Sequence, residues 1–360
     1  MINRQRLVST FLELAQIDSP SGEESVIARL ISSKLKKLGA NVIIDSYGNL
    51  IAKKEGIGTP LMLNVHMDTV EPGRGVKPIV EKSIIKSNGD TILGADPKAG
   101  LAIIIEALQS LHEDKKRSRS LELVFTKEEE ASLGGAINLD YSNITAKEGV
   151  VFDGDEEVFK IFLSSPTYYA LDVEIIGRSA HAGIEPEKGI SAIEIASKII
   201  SRLNLGRLDV ETTFNIGVIK GGSVRNAVPE KVTFEGEIRS RDKNKLEKIL
   251  RQTEMLFNSF TSLYPDAKIS LELKKDFEGF VIPKTHRMIK NASFVLKKLN
   301  LKPELKDSGG GSDANIFFTH GIEAIIVGTG VHEPHTTREY LNIDQMYDAA
   351  RFCEEFVLSK

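Results

Sequence analysis

Cysteine occurs once in the 360 residues, at Cys353. An intrachain disulfide is therefore excluded, and any metal site has to be built from His, Asp and Glu. A lone thiol fits a reducing, cytoplasmic setting. Long apolar runs are also missing. The densest, Leu101 to Ala107, already contains Glu106 and falls far short of the ~20 residues that cross a bilayer. Arg4 and Arg6 are followed by no uninterrupted apolar core and no small-residue cleavage site. Leu7, Phe11, Leu12 and Leu14 read instead as one side of an amphipathic helix. Charge of one sign is not in excess, since 47 basic against 51 acidic residues leave a net charge of −4. That balance gives neither nucleic acid nor an anionic membrane a reason to bind, and no such partner is expected. Internal repeats, low-complexity tracts and long linkers are absent too.

What is present is an ordinary globular composition, 41% hydrophobic and 27% charged, at a length that favours two domains. Over the first 160 or so residues short apolar runs alternate with helical patterns. Leu61 to Val65, Leu121 to Phe125 and Val150 to Asp153 read as strands, and Leu101 to Leu111 as a helix. That alternation implies an α/β layered domain with a mainly parallel sheet. The middle changes style. Tyr169 to Ile176, Thr213 to Ile219, Val232 to Ile238 and Ala267 to Leu273 alternate apolar with polar, while Ile190 to Leu203 and Leu246 to Phe257 have helical spacing. The order strand-helix-strand-strand-helix-strand is that of a ferredoxin-like split unit. After Phe277 the α/β style returns, with a helix from His286 to Leu299 and a strand at Ala324 to Val327. The expected organisation is one discontinuous α/β domain, residues 1–165 and 276–360, interrupted by an α+β domain at 166–275.

The chemistry concentrates where the strands end. His66 and Asp68 follow Leu61 to Val65, two positions apart, so an extended chain points both the same way. Imidazole and carboxylate so placed can serve as a metal ligand and its orienting support. Asp96 precedes Pro97 at the entry to a helix, where it could be a simple cap. A cis bond, cheap before proline, would turn its carboxylate towards a site. Glu128, Glu129 and Glu130 come directly after Leu121 to Phe125 and Thr126-Lys127; such a run is often just solvated. Asp153 ends another apolar strand, and His332 and His335 follow the strand at Ala324 to Val327. Each has a bland explanation. Five such segments in one chain are better explained by a shared oxygen- and nitrogen-rich site. Two divalent ions about 3.5–4 Å apart would use that many ligands.

Taken together, these residues carry a family resemblance. The ordered motifs are His66-Met67-Asp68-Thr69, Gly94-Ala95-Asp96-Pro97-Lys98-Ala99-Gly100, Glu129-Glu130, Ala180-His181-Ala182-Gly183, Gly309-Gly310-Gly311-Ser312-Asp313-Ala314-Asn315 and His335-Thr336-Thr337-Arg338-Glu339. Over nearly its whole length the chain resembles the M20 metallopeptidases, and within them the peptidase T-like, tripeptidase-like branch. The resemblance implies a zinc-peptidase-like three-layer catalytic domain with an inserted ferredoxin-like lid and dimerisation domain, and a homodimer formed through it. It implies two divalent ions, zinc in the first place, with cobalt or manganese also suited to the ligands. His66 and Asp153 would hold one ion and Glu130 and His335 the other, with Asp96 between them. Asp68 would support His66, and Glu129 would be the general base. The family spacing back from Leu133-Gly134-Gly135-Ala136 selects Glu129 and Glu130 over Glu128, and His-Thr-x-x-Glu selects His335 over His332. Pro97 stands where many relatives have Asp, and Ser132 where Gly is usual. His181 would stabilise the developing oxyanion from the partner subunit. Asn226 and the loop around Gly310 would lie by the substrate. Arg239, in an alternating strand, is a further candidate to hold a substrate carboxylate.

The implied activity is cleavage of amide bonds in short peptides by an aminopeptidase. A deacylase or carboxypeptidase on N-acylated amino acids would use the same metal chemistry. A non-catalytic metal-binding subunit and a nucleotide-binding α/β protein are the rivals of other classes. The glycines at Gly309 to Gly311 lack the Gly-Lys-Ser/Thr of a phosphate loop.

Overall fold

The structure, a computed structural model, describes residues 1–359. In chain order it begins with helices α1 (Arg4–Ala15) and α2 (Ser25–Lys37), strands β1 (Asn41–Ile44), β2 (Leu50–Lys54) and β3 (Ile57–His66), helix α3 (Ala95–Glu113), and strands β4 (Arg119–Thr126), β5 (Glu148–Gly154) and β6 (Lys160–Phe162). There follow β7 (Thr167–Ile176), α4 (Ala192–Ile200), β8 (Gly206–Arg207), β9 (Thr212–Gly221), β10 (Lys231–Ser240), α5 (Lys243–Leu263) and β11 (Lys268–Phe277). The last elements are α6 (Arg287–Lys298), β12 (Glu304–Lys306), α7 (Asp313–Thr319), β13 (Glu323–Gly328) and α8 (Ile343–Leu358). Contacts divide the chain into two units: Met1–Ser164 with Val281–Ser308 and Ser312–Lys360, and Ser165–Phe280 with Gly309–Gly311. Among the described residues no helix is long and apolar enough to cross a membrane.

The first unit is built on an eight-stranded sheet in the order β1-β2-β4-β3-β5-β13-β6-β12. Its middle strands β4, β3, β5 and β13 are parallel. Leu61 to Val65, Leu121 to Phe125, Val150 to Phe152 and Ala324 to Val327 are buried without alternation. Continuous burial is what a parallel strand covered on both faces requires, and it is why these runs are legible. Helices α1, α3 and α8 pack on one another, and α3 lies against β3 and β5. Towards the margins β1 with β2, β2 with β4, and β6 with β13 pair antiparallel, while the edge strand β12 runs parallel to β6. Apart from Leu50, Ile51 and Ala52 of β2, these short strands hold no buried apolar run, and they carry no clear sequence signal. A small four-stranded sheet, Val331–His332, Tyr340–Asn342, Ile84–Lys86 and Ile79–Glu81, is equally silent in the sequence.

The second unit is an antiparallel sheet in the order β8-β9-β10-β7-β11 with α4 and α5 packed on it. Leu171, Val173 and Ile175 of β7 point into its core while Asp172 is exposed, the period-two pattern of a one-sided sheet. Ile195 and Ile199 of α4 and Phe257 and Phe260 of α5 fill the other side of that core. Both helices start at side-chain caps. Ser191 accepts from the Glu194 amide, and Asp242 from those of Asn244 and Lys245. The Asp242 cap begins α5 ahead of its first buried apolar residue, Leu246, so the helix exceeds its apolar span.

Candidate metal centre

Parallel strands β3, β4, β5 and β13 share one carboxyl edge, the place where an open α/β sheet takes ligands. His66 ends β3, Glu129 and Glu130 follow β4, Asp153 lies at the end of β5, and His335 is in the segment after β13. Asp96 stands at the entry to α3 with extended backbone (φ −79°, ψ 111°), as a residue before proline must. The Asp96–Pro97 bond is cis.

These side chains converge. His66 Nε2 is 3.0 Å from Asp96 Oδ1 and 3.1 Å from Asp153 Oδ1. His335 Nε2 is 2.8 Å from Glu130 Oε1 and 3.3 Å from Asp96 Oδ2. Asp96 therefore faces both imidazoles, one with each oxygen. Three overlapping sets, His66 with Asp96 and Asp153, His66 with Glu129 and Glu130, and Asp96 with Glu130 and His335, each bring their donor atoms within 4.8 Å of one another.

Three buried groups hold the arrangement. Asp68, fully buried, meets His66 Nδ1 at 3.2 Å and accepts from the Ser21 hydroxyl (2.6 Å) and the amides of Glu129 (3.0 Å) and Glu130 (3.1 Å). One carboxylate thus orients the imidazole and pins the turn that carries both glutamates. Glu339 does the same for Asp96, accepting from the amides of Leu93 (2.7 Å), Gly94 (2.7 Å) and Asp96 itself (2.9 Å). Asn49 clamps the glutamate turn from behind: its Oδ1 takes the Lys127 amide at 3.0 Å and its Nδ2 donates to the Gly135 carbonyl at 3.0 Å. Gly135 packs so tightly there that a Cβ would lie 2.2 Å from the Lys127 carbonyl oxygen. Ser132 has φ +64°, a left-handed conformation that explains the glycine preference at this position.

The electrostatics are strained by proximity. Burial opposes charge on His66, but the carboxylates of Asp153, Asp68 and Asp96 outweigh it and raise its pKa. The carboxylates of Asp96 and Glu130 push His335 up to about 11. Burial raises Asp153 to about 7 and Glu129 well above the usual carboxylate range, with neighbouring acids adding to both. Burial also works against the Asp96 charge, yet His335 and His66 hold its pKa below normal.

Two competitors from the sequence go elsewhere. Glu128 accepts the Tyr47 hydroxyl at 2.5 Å and pairs with Lys127 at 3.1 Å. His332 bonds Gln345 at 2.6 Å and stacks on Tyr340. The second unit carries the remaining candidates. His181 is exposed; its Nδ1 accepts from the Gly183 amide at 3.1 Å, and it bridges to Ala227, with the Asn226 carbonyl accepting from the Ala182 amide at 2.9 Å. His181 and Asn226 are thus brought together. Arg239 is already engaged: it forks onto Glu237 (2.8 and 3.1 Å) and lies over the Tyr168 ring. The Gly310 carbonyl accepts from Ser165 at 2.8 Å.

Sequence reasoning passed over Asn49, and carried Glu339 and Asp313 only as members of motifs, without a role. Asp313 is buried, accepts from Thr126 and from Asn64 (3.1 Å), leaves its Oδ1 unpartnered, and is raised by burial to about 6. Only burial marks such residues out, and burial of an isolated acid is not readable from its neighbours in sequence.

Known proteins resemble the chain in sequence and in fold. The peptidase dimerisation domain of the M20 peptidases matches residues 168–263. The chain is 39% identical to the uncharacterized protein YqjE of Bacillus subtilis (strain 168), over 97% of each chain. The crystal structure of aminopeptidase PepT from Bacillus cereus ATCC 10987 is 36% identical, with TM-score 0.91 over 99% of this chain and 98% of that one. A tripeptidase from Staphylococcus aureus subsp. aureus mu50 is 37% identical, with TM-score 0.95 and the same coverage. On this evidence the chain belongs to the M20 peptidases, in their peptidase T-like branch.

Proposed function

We propose that the chain is a dinuclear metal-dependent aminopeptidase that removes the N-terminal residue of short peptides, tripeptides foremost. The observation that carries this is the meeting of His66, Asp96, Glu130, Asp153 and His335 with Glu129 beside them. The donor set fits two divalent cations. Several acids and two imidazoles packed this closely either protonate or repel, and the raised values of Asp153 and Glu129 express that conflict. A pair of cations resolves it. His66 and Asp153 would hold one, Glu130 and His335 the other, and Asp96 both. Zinc suits the ligands best, with cobalt and manganese next. When bound, the ions supply Lewis acidity towards water and a substrate carbonyl.

The chain's own groups do the rest. Asp68 accepts a hydrogen bond from the Nδ1–H of His66, which leaves the Nε2 lone pair facing Asp96 and Asp153. Glu129, with its affinity for protons raised by burial, takes a proton from the attacking water and delivers it to the leaving nitrogen, which cannot depart as an anion. His181 of the partner subunit donates to the developing oxyanion, a contact typically worth about 3 kcal/mol. Asn226 and the backbone at Gly310 line the substrate, and Arg239 is a further contact for its carboxylate. The enzyme works as a homodimer through the second unit, in the cytoplasm.

The test is digestion of a free tripeptide beside its N-acetylated form, with and without chelator. Loss of the N-terminal residue from the free peptide alone, abolished by chelator, is the expected result. Preferential cleavage of the acetylated form makes the chain a deacylase or carboxypeptidase, and chelator-insensitive or absent hydrolysis removes the metal mechanism.

A further inference from the structure

At the amino edge of the first unit's sheet lies a cavity of about 430 Å³ that the peptidase chemistry does not use. Its strands are the strands of the metal centre. Ile57 begins β3, Arg119 begins β4 and Glu148 begins β5, whereas the metal-site residues lie at or beyond their other ends. The 10 residues of β3 at ~3.3 Å each separate the two places by roughly 30 Å. A molecule in the cavity cannot touch the metal centre.

The charges in the cavity do not balance. Among the described residues, Arg117, Arg119 and Arg287 line the cavity with a single carboxylate, Glu148. Glu148 accepts from Arg287 Nε, which leaves Arg119 at 3.8 Å from the other oxygen. Arg119 is 12% exposed, and its remaining contacts are long ones to Thr59, at 3.4 Å. Arg117 is exposed and has no ion-pair or hydrogen-bond partner among the described residues. Burial, together with Arg287, makes the Arg119 charge harder to hold than usual. A part-buried guanidinium held this loosely, with its carboxylate partner at 3.8 Å, keeps donors to offer an added anion. The cavity also has an apolar wall. Met288 is buried behind it, and Ile57 and Leu358 flank it. Its volume is that of a small-molecule site.

We propose that this cavity is a second ligand site, taking a small organic oxyanion, a phosphate monoester or a carboxylate with a short apolar body. The guanidinium forks of Arg119 and Arg117 hold the oxyanion, which phosphate and carboxylate both allow by bidentate pairing. The apolar body lies on Met288. Glu148 competes with the ligand for Arg287.

The chain's methionines report on the two places separately, since Met288 lines the cavity and Met67 follows His66. The metal-loaded protein, labelled with ¹³C at the methionine methyls, is titrated with phenyl phosphate, 3-phenylpropionate and inorganic phosphate. A saturable shift of the Met288 signal with either organic probe is expected, weakened at least ten-fold by Arg117→Glu and tightened several-fold by Glu148→Gln. Which organic probe binds more tightly decides between phosphate and carboxylate. Movement of Met67 alone means that the oxyanion binds only at the catalytic ions and overturns the proposal. So does a Met288 shift that Arg117→Glu leaves unchanged. Inorganic phosphate binding as tightly as phenyl phosphate overturns the apolar half.

Discussion

Replacing Asp68 by Asn changes the chemistry of one atom and leaves the side chain's shape intact. Four donors converge on the carboxylate: the Ser21 hydroxyl, the amides of Glu129 and Glu130, and His66 Nδ1. An amide offers one accepting oxygen. If its NH₂ takes the place of Oδ1, it meets the Glu129 amide, and His66 Nδ1 must surrender its proton to become an acceptor. The proton then sits on Nε2, between Asp96 and Asp153, where the lone pair is needed for a cation. If the NH₂ takes the place of Oδ2, the Ser21 hydroxyl turns round to accept, His66 keeps its tautomer, and only the Glu130 amide is stranded. The second arrangement wins, because it strands one amide, at about 1–3 kcal/mol, without disturbing the imidazole. The imidazole still loses its anionic support, which typically weakens metal affinity by about 10–100-fold, or ~1.4–2.8 kcal/mol. Competition with a chromophoric chelator measures the affinity, and urea unfolding of the metal-free chain measures the stranded amide. An affinity within two-fold of the parent, with stability unchanged, would refute the claim that Asp68 sets up both His66 and the glutamate turn.

Glu129→Gln should lower turnover by about 10²–10⁴ while metal content stays at two ions per chain; loss of an ion would make Glu129 a ligand. Cation uptake at neutral pH should release at least one proton, because His66 and His335 are both raised by the carboxylates around them. The same shift fixes the sign for the metal-free chain. Stability from His335 is complete below its unfolded value of about 6.5 and is lost as pH climbs towards about 11. Calorimetric titration in two buffers of different ionisation enthalpy reads the protons directly, and a buffer-independent heat contradicts the prediction. Gly100→Ala would place a Cβ 2.4 Å from the Phe152 carbonyl oxygen and 2.8 Å from Val65 Cγ2. A loss of about 1–3 kcal/mol in urea is expected, and an unshifted midpoint would mean that α3 can move away from β3 and β5.

The strands at Leu61 to Val65, Leu121 to Phe125 and Val150 to Phe152 were readable because both of their faces are buried, so nearly every position is apolar, Asn64 and Glu122 being the exceptions. The margins β1, β6 and β12 were not, because a few residues pairing at an edge leave no periodicity to detect. The inserted unit was legible for the opposite reason. One face of its sheet is solvated, and the alternation of Leu171, Val173 and Ile175 with polar neighbours survives in the sequence.

The sequence by itself determined which residue types were on offer for the metal centre, because strand ends rich in His, Asp and Glu follow from local order along the chain. It also excluded cysteine as a ligand. The family spacing already selected Glu129 and Glu130 over Glu128, but only the tertiary structure shows what holds them towards the cluster. Asp68, Asn49 and Tyr47 grip the turn from positions remote in the chain. The tertiary structure likewise decided that Glu339 is the buried support of Asp96 and that Arg117, Arg119 and Arg287 share one cavity. The physical reason is the same in each case. Hydrogen bonds and unbalanced charges between segments far apart in sequence depend on distance in space, and no spacing along the chain encodes that distance.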